Sequence, residues 1–105
     1  MPTTVPAAEI AWILHHVLGF DAMDEAETLA VLEESTKLAE GVLAPLDAPG
    51  DRIGARFADG RVTLPDGFRQ AYRAYAEAGW VGIAASEAHG GQGLPEALAL
   101  AAFEP

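Results

Sequence analysis

An all-α fold, a partial helical bundle of about four helices with a small β-hairpin near residues 56-63, is predicted by three observations. Apolar residues recur at spacings of three and four in several stretches. Glycines and prolines stand where those stretches would begin and end. A lone Asp59-Gly60 pair lies between two short runs, Arg56-Phe57-Ala58 and Arg61-Val62-Thr63, and Asp-Gly favours the type I′ turn of a tight ribbon.

The first element follows Pro6. Ile10, Ile13, Leu14 and Val17 mark a short amphipathic helix over 7–18, and Gly19 is placed to stop it. Asp24 is the expected N-cap of a long helix, with Glu27 three residues on in a variant of the capping box. Projecting residues 25–44 at about 100° per residue puts Leu29, Leu32, Thr36, Ala39 and Leu43 in one stripe, with Val31, Leu38 and Val42 beside it. That stripe covers nearly half the circumference, so the helix is expected to touch two neighbours. Glu27, Glu33, Glu34, Lys37 and Glu40 collect opposite, including a Glu33 to Lys37 pair at the i, i+4 spacing. Gly41 and Pro45 weaken the end of the helix, and residues 45–61 read as a loop carrying the ribbon.

Thr63-Leu64-Pro65-Asp66 has the form of a helix start with proline in the first turn. The helix after it places Phe68, Ala71, Tyr72, Tyr75 and Ala78 on one face, and Arg69, Gln70, Arg73 and Glu77 on the other. Gly79 closes it. Beyond Gly93 a last helix opens with Pro95 in its first turn, and Leu94, Leu98, Leu100, Ala101 and Phe103 leave it no polar side. A helix apolar all round belongs inside a larger assembly, so the expectation is a chain cut through an element meant to be buried.

Composition narrows the function. One domain fits 105 residues, and half the residues are hydrophobic, although 22 of them are Ala, which makes for a thin core. The net charge of −10 and five arginines without a dense patch exclude nucleic acid and anionic membrane as partners. With no cysteine, disulfides and thiolate chemistry are excluded too. The N-terminus carries no Lys or Arg before its apolar stretch, so neither a signal peptide nor a spanning helix is read there, and a cytoplasmic location is expected.

No catalytic, cofactor-binding or metal-ligating residue is assigned. Gly90-Gly91-Gln92-Gly93 ahead of a helix invites a phosphate reading, but it lacks a preceding strand, the Gly-x-Gly-x-x-Gly spacing and a following Lys-Ser/Thr. Gly90, Gly91 and Gly93 are instead expected to form a structural turn that needs backbone freedom. His15 and His16 are neighbours, about 100° apart on a helix, and cannot share a metal at the usual i, i+4 geometry. His89 beside Glu87 has no nucleophile to serve, and Tyr72, Tyr75 and Trp80 are better placed for core packing than for stacking on a flavin.

Ala78-Gly79-Trp80-Val81-Gly82-Ile83-Ala84 followed by His89-Gly90-Gly91-Gln92-Gly93-Leu94-Pro95 resembles the N-terminal domain of acyl-CoA dehydrogenases. Leu43, Pro45, Asp51-Arg52, Gly54, Phe57, Asp59-Gly60-Arg61-Val62, Pro65 and Gly67-Phe68 are similar to a branch with an extended N-terminus, the 3-methylmercaptopropionyl-CoA dehydrogenase-like proteins. The likeness runs from about Ala8 to Phe103. It implies that residues 1-105 are a truncated N-terminal helical domain, with 1-22 as the extension. It further implies FAD, an acyl-CoA thioester, a glutamate that removes the α proton, and transfer of the β hydrogen to the flavin in the complete enzyme, with no cofactor bound by this chain alone. The implied partners are the remaining dehydrogenase domains or subunits, and the unfinished apolar surfaces predict self-association of the isolated chain. Two functions fit: a non-catalytic scaffold segment of such an enzyme, or a stand-alone helical interaction module that pairs with a separate dehydrogenase subunit.

Overall fold

The Asp24 carboxylate accepts from the Ala26 N–H at 3.2 Å. Behind this cap the chain stays helical from Glu25 to Ile53 in the computed structural model, which describes residues 6–105. That run is α2 (Glu25–Leu38), a π-helical turn (Ala39–Leu43) and α3 (Ala44–Ile53). Before it come α1 (Ala7–Trp12) and a second π-helical turn (Ile13–Val17), and after it the ribbon β1 (Arg56–Ala58) and β2 (Arg61–Thr63). α4 (Phe68–Glu77), a 3₁₀ turn (Glu87–His89) and α5 (Glu96–Ala102) complete the chain. The fold is all-α with four helical rods and one hairpin among the described residues. The first five residues of the expected 1-22 extension lie outside the described ones.

Residues 45–53 are helix, not loop. Pro45 has no N–H to give the Gly41 carbonyl, and the ladder slips there to i→i−5, which turns the break into a π-helical turn rather than an end. Pro45 then falls in the first turn of α3, where the missing donor costs nothing. α3 ends at Gly54, whose φ is +68°.

The hairpin forms as its turn predicts. Phe57 pairs with Val62, and Asp59 and Gly60 have φ of +53° and +74°, the two left-handed residues of a type I′ turn. α4 starts later than expected. Thr63 is spent in β2, so Gly67 takes the N-cap at φ +93° without a side-chain cap. A Cβ on Gly67 would also meet Leu46 Cδ2 at 2.7 Å, where α3 packs against the start of α4.

Burial shifts the expected faces. On α2 the innermost line is Thr28, Leu32, Ser35 and Ala39, while Thr36 is half-buried and Leu43 exposed. The two polar residues on that line are satisfied: Thr28 Oγ1 donates to the Asp24 carbonyl and lies 2.8 Å from His15 Nε2, and Ser35 Oγ donates to the Ala102 carbonyl at 2.7 Å. In the first helix Ala11 is buried and Ile10, Leu14 and His15 are half-buried, whereas Ile13 and Val17 face outward. The π-helical turn at 13–17 rotates the later residues away from their 3.6-residue phase. Glu27 makes no reciprocal capping bond, and Lys37 pairs with Glu34 at 2.8 Å instead of Glu33.

The core joins Ala11, Leu32, Ile83, Leu98, Ala99 and Ala102. Leu98, expected to remain uncovered, is fully buried at its centre, while Leu100 on α5 and Phe103 at its C-cap are large hydrophobics left exposed. The molecule is a plate of 53 × 36 × 17 Å with a radius of gyration of 16.3 Å, well above the roughly 13 Å of a closed domain near this length.

Candidate functional site

Between α2 and the segment that follows α4 lies a cleft of about 550 Å³. Val31 and Leu38 supply its helical wall, and Trp80, Ile83 and Leu94 face them. Val31 and Leu38 are the residues that broadened the apolar stripe in sequence; the two further helices α2 packs on are α1 and α5, while these two side chains line the cleft. Glu34, Lys37 and Gln92 form the polar rim. The volume lies in the range of small-molecule pockets, about 300–1,000 Å³, and the lining is mainly apolar.

The wall opposite α2 is built by residues 79–94. Gly79 ends α4 at φ +85°, and Gln92 Nε2 reaches back to donate to its carbonyl at 2.9 Å. The Gln92 and Leu94 amides donate to the Gly82 and Ile83 carbonyls, both at 3.0 Å, which draws the two ends of the segment together. Ser86 caps the 3₁₀ turn by accepting from the Ala88 N–H. Gln92 was missed as a positioning residue in sequence, and the available sign was a lone amide side chain among three glycines.

In the turn itself, Gly90 and Gly93 have φ of +83° and +64°. Gly91 has an ordinary φ, but a Cβ there would overlap the Ala85 carbonyl. The amides of Gly90, Gly91 and Gly93 donate to Glu87, Ser86 and Ala85 carbonyls at 3.1, 3.0 and 2.8 Å. With Gln92 and Leu94, five consecutive N–H groups are spent inside the segment. A phosphate cradle needs such groups free and convergent.

The other residues weighed in sequence do not gather here. Glu34 holds the Lys37 ammonium above its ordinary range by a hydrogen bond and charge, in an exposed pair on the rim. His89 and Glu87 sit exposed on the 3₁₀ turn, outside the cleft lining. Tyr75 is half-buried in a separate groove between α3 and α4, and burial raises its phenol above the usual range. Tyr72 lines the same groove but is 69% exposed, against the expectation of core packing, and neither tyrosine joins Trp80. His16 Nε2 lies 2.9 Å from Glu25 Oε2 and its ring stacks on Trp12, while His15 turns inward to Thr28. Among the described residues no three His, Asp or Glu side chains converge to hold a metal ion, and no helix is long and apolar enough to cross a membrane.

A thin all-α plate with an apolar cleft on its long helix defines a segment that borders a pocket. Its sequence is acyl-CoA dehydrogenase-like. The chain is 32% identical to the 3-methylmercaptopropionyl-CoA dehydrogenase of Ruegeria pomeroyi over an alignment covering 99% of this chain and 19% of that enzyme. It is 34% identical to the broad-specificity linear acyl-CoA dehydrogenase FadE5 of Mycobacterium tuberculosis, over 81% of this chain and 14% of that one. The chain thus spans less than a fifth of the length of either relative. No family model matches the sequence.

Proposed function

We propose that residues 1-105 are the N-terminal helical scaffold segment of a cytoplasmic, FAD-dependent acyl-CoA dehydrogenase, with 1-22 as an extension ahead of the domain proper. The complete enzyme would carry out the α,β-dehydrogenation of an acyl-CoA thioester. The observation that carries this reading is the open plate: its radius of gyration of 16.3 Å exceeds the roughly 13 Å of a closed domain near this length, and large hydrophobic side chains stay exposed on it. Leu100 and Phe103 on the outer side of α5, 67% and 54% exposed, are where further layers of the enzyme would pack.

In that setting the cleft walled by Val31, Leu38, Trp80, Ile83 and Leu94 closes one side of the substrate pocket and keeps water from it. FAD, when bound, supplies the acceptor for the β hydrogen. The spent amides of residues 90–94 offer the flavin diphosphate nothing, so other parts of the enzyme would hold it. Gly90, Gly91 and Gly93 then serve to fold the cleft wall. The proton-abstracting glutamate likewise belongs to domains beyond this segment, which are its principal partners together with acyl-CoA.

The test is the purified chain itself, examined for flavin absorbance and for acyl-CoA-dependent reduction of an artificial electron acceptor. A colourless, inactive protein is expected. Stoichiometric yellow flavin copurifying with residues 1-105 would overturn the scaffold reading.

A further inference from the structure

The hairpin packs on nothing. All six residues of β1 and β2 are exposed, and Phe57 and Val62, at 76% and 68% exposure, are directly opposed across the strands and therefore share one side of the ribbon. Arg56 and Arg61 fall on the other side. A ribbon of two three-residue strands is marginal alone, and so large an exposed apolar pair gains by being covered.

The charge around it is the reverse of the rest of the molecule. Arg52, Arg56, Arg61, Arg69 and Arg73 are all the arginines of the chain, all are exposed, and none joins an ion pair among the described residues. With Asp59 and Asp66 they give residues 52–73 a net charge of 5 − 2 = +3. Arg56, Arg61 and Arg69 are drawn together around residues 63–66, whose two sides are lined by Arg56 and by Arg61 with Arg69. Residues 6–51 carry ten acids against Lys37 alone, a net of 1 − 10 = −9. That acidic part exposes its own apolar group where the first helix ends, Val17 at 60% and Leu18 at 69%, just ahead of Asp21.

We propose that the ribbon is a docking element for a second copy of this chain: the Phe57/Val62 side covers Val17 and Leu18 of the neighbour, and the arginines around it meet the neighbour's acidic surface. The two patches are different parts of one molecule, so the contact is head-to-tail rather than two-fold. Association should proceed beyond a dimer as concentration rises. This inference does not rest on the dehydrogenase reading, and it assigns self-association to the ribbon rather than to Leu100 and Phe103.

The experiment is sedimentation velocity on the full chain and two variants. Phe57→Ser with Arg61→Glu disables the ribbon, and Val17→Ser with Leu18→Ser disables the acidic end. All four positions are exposed, and circular dichroism checks that each variant remains folded. The wild-type chain is expected to associate, and to do so roughly tenfold more weakly near 1 M salt, where the Debye length is about 3 Å. Each variant alone should be monomeric, and an equal mixture should recover a one-to-one complex through the one intact patch of each. A wild-type chain monomeric at high concentration overturns the proposal. So does association that survives both variants, or that is lost only with Leu100→Ser and Phe103→Ser.

Discussion

Ser35 Oγ donates to the Ala102 carbonyl at 2.7 Å, a bond that ties the middle of α2 to the last turn of α5 across 67 positions of sequence. The carbonyls of a helix's last turn have no partner within the helix, and this one is met by a buried side chain. Ser35→Ala removes the donor and leaves the carbonyl in a dry site. A loss of about 1–3 kcal/mol is expected in urea unfolding, with Thr36→Ala, whose hydroxyl only returns to the Leu32 carbonyl, costing less. Equal effects of the two substitutions would refute the importance of the α2–α5 bond.

Leu98 and Leu100 lie two residues apart on α5 and should behave oppositely. Leu98 is wholly buried, so Leu98→Ala should cost about 2–5 kcal/mol through lost contacts and a cavity. Leu100 is 67% exposed, and Leu100→Ala in the isolated chain should stay within about 0.5 kcal/mol of wild type. Thermal unfolding of the two variants separates these outcomes.

The three glycines of the turn should rank by cause. A Cβ at Gly91 meets the Ala85 carbonyl, which is backbone and cannot rotate away, so Gly91→Ala should cost about 1–3 kcal/mol. Gly90 has open space but φ of +83°, and Gly90→Ala should cost about 1 kcal/mol from backbone strain alone. Denaturant midpoints in which Gly91→Ala is the mildest change would contradict the geometry.

Burial raises the Tyr75 phenol, which means the folded state disfavours its phenolate. The folded value lies above the unfolded one, so the folded chain holds the proton longer and stability falls as pH rises beyond about 10. Below that range both states are protonated and Tyr75 adds no pH dependence. Phenolate absorbance on alkaline titration of Tyr72→Phe, which leaves Tyr75 as the one tyrosine, should show it ionising at higher pH in the folded chain than in the same variant unfolded in urea.

Local chemistry was legible where a single residue dictates backbone. Asp24 caps α2, Asp59-Gly60 turns the ribbon, and Gly19 and Gly79, with φ of +70° and +85°, stop their helices. What the sequence hid depends on relations between elements. Pro45 signals a loop until a π-helical turn makes room for it at the start of a helix, and Pro49 is carried inside that same helix. Thr63 resembles a cap until the ribbon claims it. Thr28 and Ser35 count as polar until His15, the Asp24 carbonyl and the Ala102 carbonyl satisfy them, at which point they displace Thr36 and Leu43 from the inner line of α2. Of the cleft, the α2 wall was visible as an overly wide apolar stripe. The opposite wall is held by backbone bonds among residues 79–94, which periodicity does not register.

The central claim, that this plate is a scaffold completed by other dehydrogenase domains, is tested most directly by exchange. In the Ruegeria pomeroyi relative the aligned segment is about a fifth of the enzyme, and it can be deleted or replaced by residues 1-105 of this chain. Flavin content and acyl-CoA-dependent acceptor reduction are then compared. The scaffold account predicts that deletion abolishes flavin retention and activity and that this chain restores both. Activity undiminished by the deletion, or a replacement no better than the deletion, would contradict it.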